Sequence, residues 1–428
     1  MIRGSEDTIF ALSSGQPPSA IAVIRISGPR ARSVLEHLAG RISEPRRAEL
    51  VRLSAGGEIL DTALALRFDA PNSVTGEDIV ELHVHGGRAV VAAVTGALGD
   101  MDGLRLAEPG EFTRRAFSNG RIDLAEAEGL ADLLAAETES QRRAALQLAG
   151  GGLSRLVLGW TDRLLGLAAA VEAQLDFSDE GDVDTGLPPS WHQERLRLAS
   201  EISDLLGRPP AERLRDGVRV VLAGPPNSGK STLLNALVGR EAAITSEIAG
   251  TTRDLIEAPV AIGGVPLVLI DSAGLRDSAD AIEAIGVDRA SEAIVAADLV
   301  LWLGPPEQAP RRPHVLKVHT KCDLGGTTGG ADISVSAVTG AGLNELLGTM
   351  LSEALALLPG ESEVAVNARQ RQALSETVAS LTGAGQEHDL VIVAEMLRVA
   401  RAALDRVTGR AGVEDMLDAL FGRFCIGK

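Results

Sequence analysis

Residues 218–231 read Val-Arg-Val-Val-Leu-Ala-Gly-Pro-Pro-Asn-Ser-Gly-Lys-Ser, an apolar strand running straight into Gly224-Pro225-Pro226-Asn227-Ser228-Gly229-Lys230-Ser231. The eight-residue segment fits the phosphate-binding loop pattern, in which a glycine-rich turn follows a strand and opens a helix. Backbone N–H groups at such a helix N-terminus cradle phosphates, the Lys230 ammonium reaches the β/γ-phosphates, and the Ser231 hydroxyl is a ligand for Mg²⁺. Thr232, next on the helix, joins the expected GTP-binding set with Asn227, Ser228, Gly229, Lys230 and Ser231. A glycine-rich turn that holds nothing is the alternative, and four further motifs in the right order decide against it.

Thr251 and Thr252 lie in a segment able to close over Mg²⁺, Thr252 being the expected metal ligand. Asp271-Ser272-Ala273-Gly274 follows the apolar strand Val265 to Ile270, which puts the Asp271 carboxylate at the strand's C-terminal end near the metal and offers the Gly274 N–H to a γ-phosphate. Thr320-Lys321-Cys322-Asp323 follows another apolar strand, and the Asp323 carboxylate accepts two N–H bonds that guanine offers and adenine does not. Ser336-Ala337 completes the set as a backbone contact to the base. The expected substrate is therefore GTP, hydrolysed with Mg²⁺.

Two residues depart from the common pattern. Thr320 stands where asparagine is usual, and its shorter side chain is expected to weaken guanine binding somewhat. Leu275 stands where many GTPases carry the glutamine that orients the attacking water, a task leucine cannot perform. Glu283 is within loop reach of that position, and spacing alone leaves it either a water-positioning group or a solvated helix carboxylate.

Outward from this centre, strands at 299–303 and 314–318 alternate with helical stretches, which predicts a parallel sheet wrapped by helices. Before it, leucine and alanine recur at three- and four-residue spacing from Leu124 to Leu175 and again from His192 to about Leu206. The chain after about Gly360 is helical again. Neither helical segment closes a bundle by itself, so the two are expected to pack together with the α/β domain inserted between them. The segment up to Ser118 alternates strand-like runs with glycine turns and reads as a compact α+β domain. The fold class is thus multidomain, α+β and α/β. Its expected parts are an N-terminal domain at 1–118, a helical domain at 119–215 and 358–428, and a Ras-like P-loop GTPase domain at 216–357.

The whole chain of 428 residues is long enough for roughly two to four domains. Its 45% hydrophobic and 23% charged composition, with no apolar run of about 20 residues, predicts a soluble protein with no membrane partner. Residues Met1 to Phe10 lack the apolar stretch of a secretory signal, so the expected home is cytoplasmic. The two cysteines, Cys322 and Cys425, have no partners at metal-ligand spacing, which argues against a disulfide framework and a zinc finger. A net charge of −18 and 2% aromatic residues argue against a chain that coats nucleic acid or stacks single-stranded RNA, so any RNA contact needs a local basic patch.

Six further segments carry a resemblance. They are IAVIRISG at 21–28, NSVTGED at 72–78, PGEFTRRAFSN at 109–119, DLAEAEGLADLLAAET at 123–138, IAGTTRD at 248–254 and the terminal FCIGK at 424–428. Together with the P-loop they resemble, over nearly the whole chain, the bacterial tRNA modification GTPases of the MnmE/TrmE family. Those proteins work with an FAD-dependent partner to build the carboxymethylaminomethyl group on the wobble uridine of tRNA. The resemblance implies a homodimer formed through an N-terminal domain that binds a reduced folate, 5-formyl- or methylene-tetrahydrofolate. It also implies a heterotetramer with the FAD-dependent subunit, FAD entering only through that partner, and hydrolysis activated by K⁺-dependent pairing of G domains. By position, Asn227 matches the side-chain ligand of K⁺, with carbonyls around Ser246, Ile248 and Thr251 completing the shell, and Glu283 matches the family's water-positioning glutamate.

Outside the G domain, Cys425 is either an inert small hydrophobe between Phe424 and Ile426 or, as the resemblance implies, a catalytic thiol, activated by Lys428, at the modification centre. For the folate, a carboxylate suits the pterin and a cation suits the glutamate tail, which makes Glu77 and Arg25 the candidates. Glu81, His83 and His85 alternate onto one strand face, a possible metal site or an ordinary polar face. Arg114, Arg115 and Arg121 either touch tRNA or form a solvated helix face. The rival to an RNA-modifying GTPase is a GTP-dependent assembly or signalling switch whose flanking domains only bind.

Overall fold

The computed structural model describes residues 7–176, 187–240, 242–243, 257–272, 292–325, 329–360, 363–411 and 414–428. The chain divides into two compact units, one of residues 1–131 with 408–428 and one of residues 132–407.

The first unit is built on a six-stranded sheet. Its strands are β1 (Thr8–Leu12), β2 (Ile21–Ser27), β3 (Glu49–Ala55), β4 (Glu58–Phe68), β5 (Ile79–His85) and β6 (Leu104–Leu106), in the order β3-β4-β5-β2-β1-β6. Every pairing is antiparallel except the parallel β1–β6 pair. Helices α1 (Ala31–Ala39) and α2 (Arg88–Gly99) pack against the sheet through Val34, Leu35, Leu38, Val94 and Leu98, all buried with Ile24, Ile26, Leu53 and Leu82. The sheet presents a row on its other side in which Leu50 lies opposite Leu64 and Leu64 opposite His83. Leu50 and Leu64 are 64% and 43% exposed, so this face leaves apolar surface uncovered.

Helix α3 (Glu111–Ser118) and the start of α4 (Leu124–Ala135) complete the unit together with the C-terminal segment. Leu124 and Ala127 are buried with Leu417, Phe421 and Phe424. The sequence pattern assigns 358–428 to the second half of the helical domain, yet residues 408–428 group with the N-terminal unit.

In the second unit, α5 (Glu139–Ala149) opens on a capping box in which Thr138 and Gln141 each bond the other's backbone. Helix α6 (Gly152–Asp176) buries Leu153, Val157, Trp160, Leu164, Leu167 and Val171, the three- and four-residue spacing of one helix face. It packs on α7 (Pro189–Leu206), where the Trp191 indole donates to the Leu167 carbonyl at 2.9 Å. After the inserted sheet, α10 (Leu343–Leu357) leads to α11 (Ala368–Ala384) and α12 (Leu390–Thr408). The Arg195 guanidinium of α7 donates to the Leu381 carbonyl of α11 at 2.7 Å, so the helical segments before and after the insertion pack together. The ends of the insertion also meet: in α8 (Ala211–Arg215), the Ala211 N–H donates to the Val366 carbonyl at 3.2 Å.

The inserted sheet has seven strands. They are β7 (Val218–Ala223), β8 (Ala242–Ala243), β9 (Glu257–Ile262), β10 (Val265–Asp271), β11 (Leu299–Trp302), β12 (Val315–His319) and β13 (Ile333–Ser334), in the order β13-β12-β11-β7-β10-β9-β8. The five strands from β13 to β10 run parallel, as the alternating pattern predicts. The expectation of a wholly parallel sheet is corrected at one edge, where β9 is antiparallel to β10 and β8 to β9. The cause is local. Gly263 and Gly264, at φ 57° and 80°, form a two-residue turn, and so short a link can only join antiparallel neighbours. Helix α13 (Glu414–Phe421) belongs to the first unit. Among the described residues no helix is long and apolar enough to cross a membrane.

Candidate functional site

The P-loop sits where β7 ends and α9 (Lys230–Val238) begins. Three of its residues hold backbone angles that turn the chain sharply: Gly224 (φ 154°), Asn227 (φ 60°) and Gly229 (φ 91°). At Gly224 a β-carbon would come within 3.0 Å of the Leu303 carbonyl carbon, so glycine is needed for the approach to β11. Lys230 is buried, and its ammonium donates to the Gly224 and Pro225 carbonyls at 3.0 and 2.9 Å, inside the curve of the loop. The Ser228 hydroxyl is buried without a hydrogen-bond partner, an orphan polar atom in a loop of the kind that cradles phosphate.

Parallel pairing carries β10 alongside β7, with Asp271 opposite Leu222, and so delivers the Asp271 carboxylate to the start of α9. Its Oδ2 accepts from the Ser231 hydroxyl at 2.5 Å. A hydroxyl and a carboxylate in contact at a helix N-terminus are the donor set that Mg²⁺ takes together with nucleotide phosphates. The residues present therefore fit a Mg²⁺–nucleotide complex.

The base-recognition segment closes on the same loop. Thr320 Oγ1 donates to the Ser228 carbonyl at 2.7 Å and Lys321 Nζ to the Asn227 carbonyl at 2.8 Å. Asp323 follows in an exposed single turn of 3₁₀ helix. The Val335 N–H donates to the His319 carbonyl and the Cys322 N–H to the Val335 carbonyl, which binds the strand leading to Ser336 and Ala337 to the segment carrying Asp323. Ser336 is fully buried, its N–H bonded to the Ala341 carbonyl, and Ala337 is partly exposed. Thr232 follows Ser231 on α9. Ser246, Ile248, Thr251, Thr252, Gly274, Leu275 and Glu283 lie outside the described residues.

In the first unit, α3 is the platform on which two distant segments meet. Arg115, only 6% exposed, donates to Glu77 at 3.1 Å, to Asp7 at 2.9 Å and to Glu111 at 3.1 Å. Glu77 also accepts from the Ser27 hydroxyl at 2.8 Å, Ser27 meets Thr75 at 2.7 Å, and Asn119 donates to the Thr75 carbonyl at 2.7 Å. Burial works to raise the Glu111 pKa, but bonds from Arg105, the Glu108 N–H and Arg115 outweigh it and hold the carboxyl below its ordinary range. Both readings of the arginine cluster need correcting at one position: Arg115 is neither an RNA contact nor a solvated residue but a buried ion-pair centre, whereas Arg114 pairs with Asp418 at the exposed surface. Ser27, Thr75 and Asn119 escaped sequence reasoning, although Gly76 at φ 79° between Thr75 and Glu77 marks the tight loop they tie down.

The folate candidates are not brought together as a pair. Arg25 is bonded to Glu81 at 2.9 Å and lies over the Phe112 ring at 5.7 Å, while Glu77 is engaged by Arg115 and Ser27. The face of Glu81, His83 and His85 makes pairwise contacts, His85 with Asp61 at 2.8 Å and His83 with Glu81 at 3.7 Å. No group of three metal-ligating side chains occurs among the described residues.

On the other side of α3 lies the C-terminal tail. The Phe112 N–H donates to a Lys428 carbonyl oxygen at 3.2 Å, and Pro109 bridges to Ile426. Gly427, at φ 98°, packs so close to β1 that a β-carbon would stand 2.2 Å from the Leu12 carbonyl oxygen. Phe424 is buried in a ring cluster with Phe421 and Phe117, and between these anchors the Cys425 thiol is exposed. The tail thus presents the thiol rather than burying it as a small hydrophobe.

Two family models between them cover nearly all of the chain. The family model for the GTP-binding protein TrmE N-terminus matches residues 8–121, and that for the MnmE helical domain matches 124–425. The chain belongs to the MnmE/TrmE family. The tRNA modification GTPase MnmE of Rhizorhabdus wittichii is 59% identical over 440 residues, covering 99% of this chain and 97% of that relative. Its counterpart in Erythrobacter litoralis is 58% identical, covering 99% of this chain and all of that relative. Among solved structures, the G domain of the T. maritima FeoB iron transporter, 26% identical, covers 32% of this chain and 98% of that chain at a TM-score of 0.23. The chain's own strand order and P-loop geometry carry the argument for its nucleotide site.

Proposed function

We propose that the chain is a Mg²⁺-dependent GTPase that takes part in modifying the wobble uridine of tRNA. The observation that carries the reading is the Ser231–Asp271 contact at the mouth of the P-loop, which supplies a metal's protein ligands beside a buried lysine. In this reading Mg²⁺ neutralises charge on the β- and γ-phosphates. Lys230 donates to those phosphates in place of the two loop carbonyls it now satisfies. Asp323 accepts from guanine, Thr320 and Lys321 hold the P-loop against the base-recognition segment, and the N–H groups of Asn227 to Thr232 cradle phosphate. Thr252 and Gly274 complete the metal and γ-phosphate contacts, and Glu283 positions water where Leu275 cannot.

K⁺ as activator is supported by Asn227, whose backbone is fixed in the left-handed region and tied to Lys321 while the residue stays exposed at the loop's outer edge. Ser246, Ile248 and Thr251 would give the remaining ligands. Pairing of two chains is supported by the open apolar face around Leu50 and Leu64. The domain limits 1–118, 119–215, 216–357 and 358–428 belong to this proposal, with the last 21 residues seated on the N-terminal unit.

A reduced folate would supply the one-carbon unit. Arg25 and Glu77 would hold it from within their present ion pairs, which fits less directly than the nucleotide site fits its ligand. The exposed Cys425 and the terminal Lys428, anchored on the same helix that grips Glu77, favour chemistry in the flanking domains over a purely binding switch. The FAD-dependent subunit and the heterotetramer rest on the family resemblance, and a cytoplasmic home rests on the sequence reading alone.

The test is steady-state GTP hydrolysis with Mg²⁺ in KCl against NaCl at equal ionic strength, with Asn227→Ala and Glu283→Ala alongside. Strong stimulation by KCl that both substitutions abolish is the expected result. Equal rates in the two salts would leave the GTPase standing and remove K⁺ activation.

A further inference from the structure

We infer that the first turn of α5 is the mechanical coupling between the nucleotide site and the helical segments, acting through the β9–β10 turn; this rests on the guanine-nucleotide reading above. The Gly264 carbonyl, at the tip of that hairpin, accepts from the Ser140 hydroxyl at 2.8 Å and from the Ser140 N–H at 3.4 Å. The same helical turn is locked by the Thr138–Gln141 capping box, and Gln141 Nε2 reaches on to the Arg215 carbonyl at 3.0 Å, just before β7. One turn further along, Ala144 packs against the hydrophobic core of the inserted sheet.

The far end of β10 is Asp271, bonded to Ser231. From Leu267 to Ile270 the strand is paired with β9 on one side and β7 on the other, so a shift at the carboxylate is passed along the strand and not absorbed within it. In sequence, this hairpin lies between Thr252 and Gly274, the two residues assigned to the metal and the γ-phosphate.

Beside α5 the packing is slack. A cavity of about 60 Å³ lies there, and six of its eleven lining residues are alanines, among them Ala144 and Ala145 of α5 and Ala211 of α8. Side chains that small interlock little, so α5 has room to follow the hairpin. Polar bonds fix the helix to the moving strand, and small side chains leave its other neighbours free to slip.

The experiment is hydrogen exchange on the full-length protein, with GDP or a non-hydrolysable GTP analogue and Mg²⁺. Exchange in residues 139–149 is expected to differ by at least about fivefold between the two states. In Ser140→Asp the new carboxylate repels the Gly264 carbonyl, yet an acidic residue in the first turn suits the helix dipole, so α5 persists while the link is cut. The difference should then fall below about twofold, with GDP affinity within about twofold of wild type and the first unit's exchange unchanged. Ser140→Ala, which keeps the backbone bond alone, should give an intermediate difference. Identical exchange in 139–149 with both nucleotides bound, or a full difference surviving in Ser140→Asp, overturns the coupling. Failure to bind either nucleotide overturns the reading beneath it.

Discussion

Ser231 and Asp271 are forty residues apart in the chain, yet a 2.5 Å hydroxyl–carboxylate bond joins them at the N-terminus of α9. The bond exists because β10 lies parallel to β7 in a register that pairs Asp271 with Leu222, one residue before β7 ends and the P-loop begins. If the pair is the protein's share of a Mg²⁺ site, Ser231→Ala should lower kcat for GTP hydrolysis by about 100-fold, the usual cost of removing one preorganised group that stabilises transition-state charge. The loss should shrink at high Mg²⁺. Steady-state rates across a Mg²⁺ titration would check this, and an unchanged kcat would remove Ser231 from the metal site.

Thr320 offers a sharper test of the base-recognition segment. Its hydroxyl donates to the Ser228 carbonyl, a tie that valine, of nearly the same shape, cannot make. A neutral bond of this kind contributes about 1 kcal/mol net, so Thr320→Val should weaken GDP binding about fivefold. Calorimetric titration of the two proteins reads the difference directly. Unaltered affinity would mean that the tie is redundant with the Lys321 bond to Asn227.

Much of this site was legible because phosphate chemistry constrains spacing locally: a strand, a glycine turn and a helix leave a signature within fourteen residues of sequence. Asp271 was legible for the same reason, standing at the end of an apolar run. The antiparallel edge strand was not, because β9 and β10 carry the same apolar texture as the parallel strands and only Gly263-Gly264 betrays the hairpin. The burial of Arg115 was hidden as well. Arginine in an acidic chain reads as surface, and its partners Asp7 and Glu77 lie far off in sequence. The docking of the tail on α3 joins residues some three hundred positions apart, for which no periodicity exists.

The Arg115 centre predicts a pH dependence. Glu111 has its pKa held below the ordinary carboxylate value by Arg105, Glu108 and Arg115 against the opposing effect of burial. A group whose folded pKa is depressed adds stability above its unfolded pKa, and that stability is lost as pH falls through the folded value. The first unit should therefore lose stability as pH falls through about 4.5, where an unfolded glutamate is half protonated, and go on losing it below. Glu111→Gln should cost about 3 kcal/mol at neutral pH, because it leaves buried Arg115 one carboxylate short, and should flatten the acid limb. Urea unfolding at pH 7 and pH 4 would reveal both effects, and parallel pH profiles for the two proteins would show that Glu111 titrates alike folded and unfolded.

The tail separates the two activities proposed for the chain. Gly427 sits at φ 98° with its α-carbon against β1, so Gly427→Ala must both strain the backbone and push a methyl group into the Leu12 carbonyl oxygen. A strained left-handed residue costs about 1–3 kcal/mol, and the steric contact adds to it, so the cheapest relief is release of the last few residues from α3. Release would carry Cys425 and Lys428 away from the helix that grips Glu77, while the P-loop, in the other compact unit, keeps its geometry. Gly427→Ala should therefore keep steady-state GTP hydrolysis within about twofold of wild type, since nothing it touches belongs to the nucleotide site. Wobble-uridine modification of tRNA, assayed with the proposed FAD-dependent subunit, should fall at least about tenfold, the loss expected when a reacting group leaves its fixed geometry. Equal loss of both activities would point to global unfolding and is checked by the unfolding midpoint. Retention of both would show that the docked tail is not where the modification chemistry is assembled.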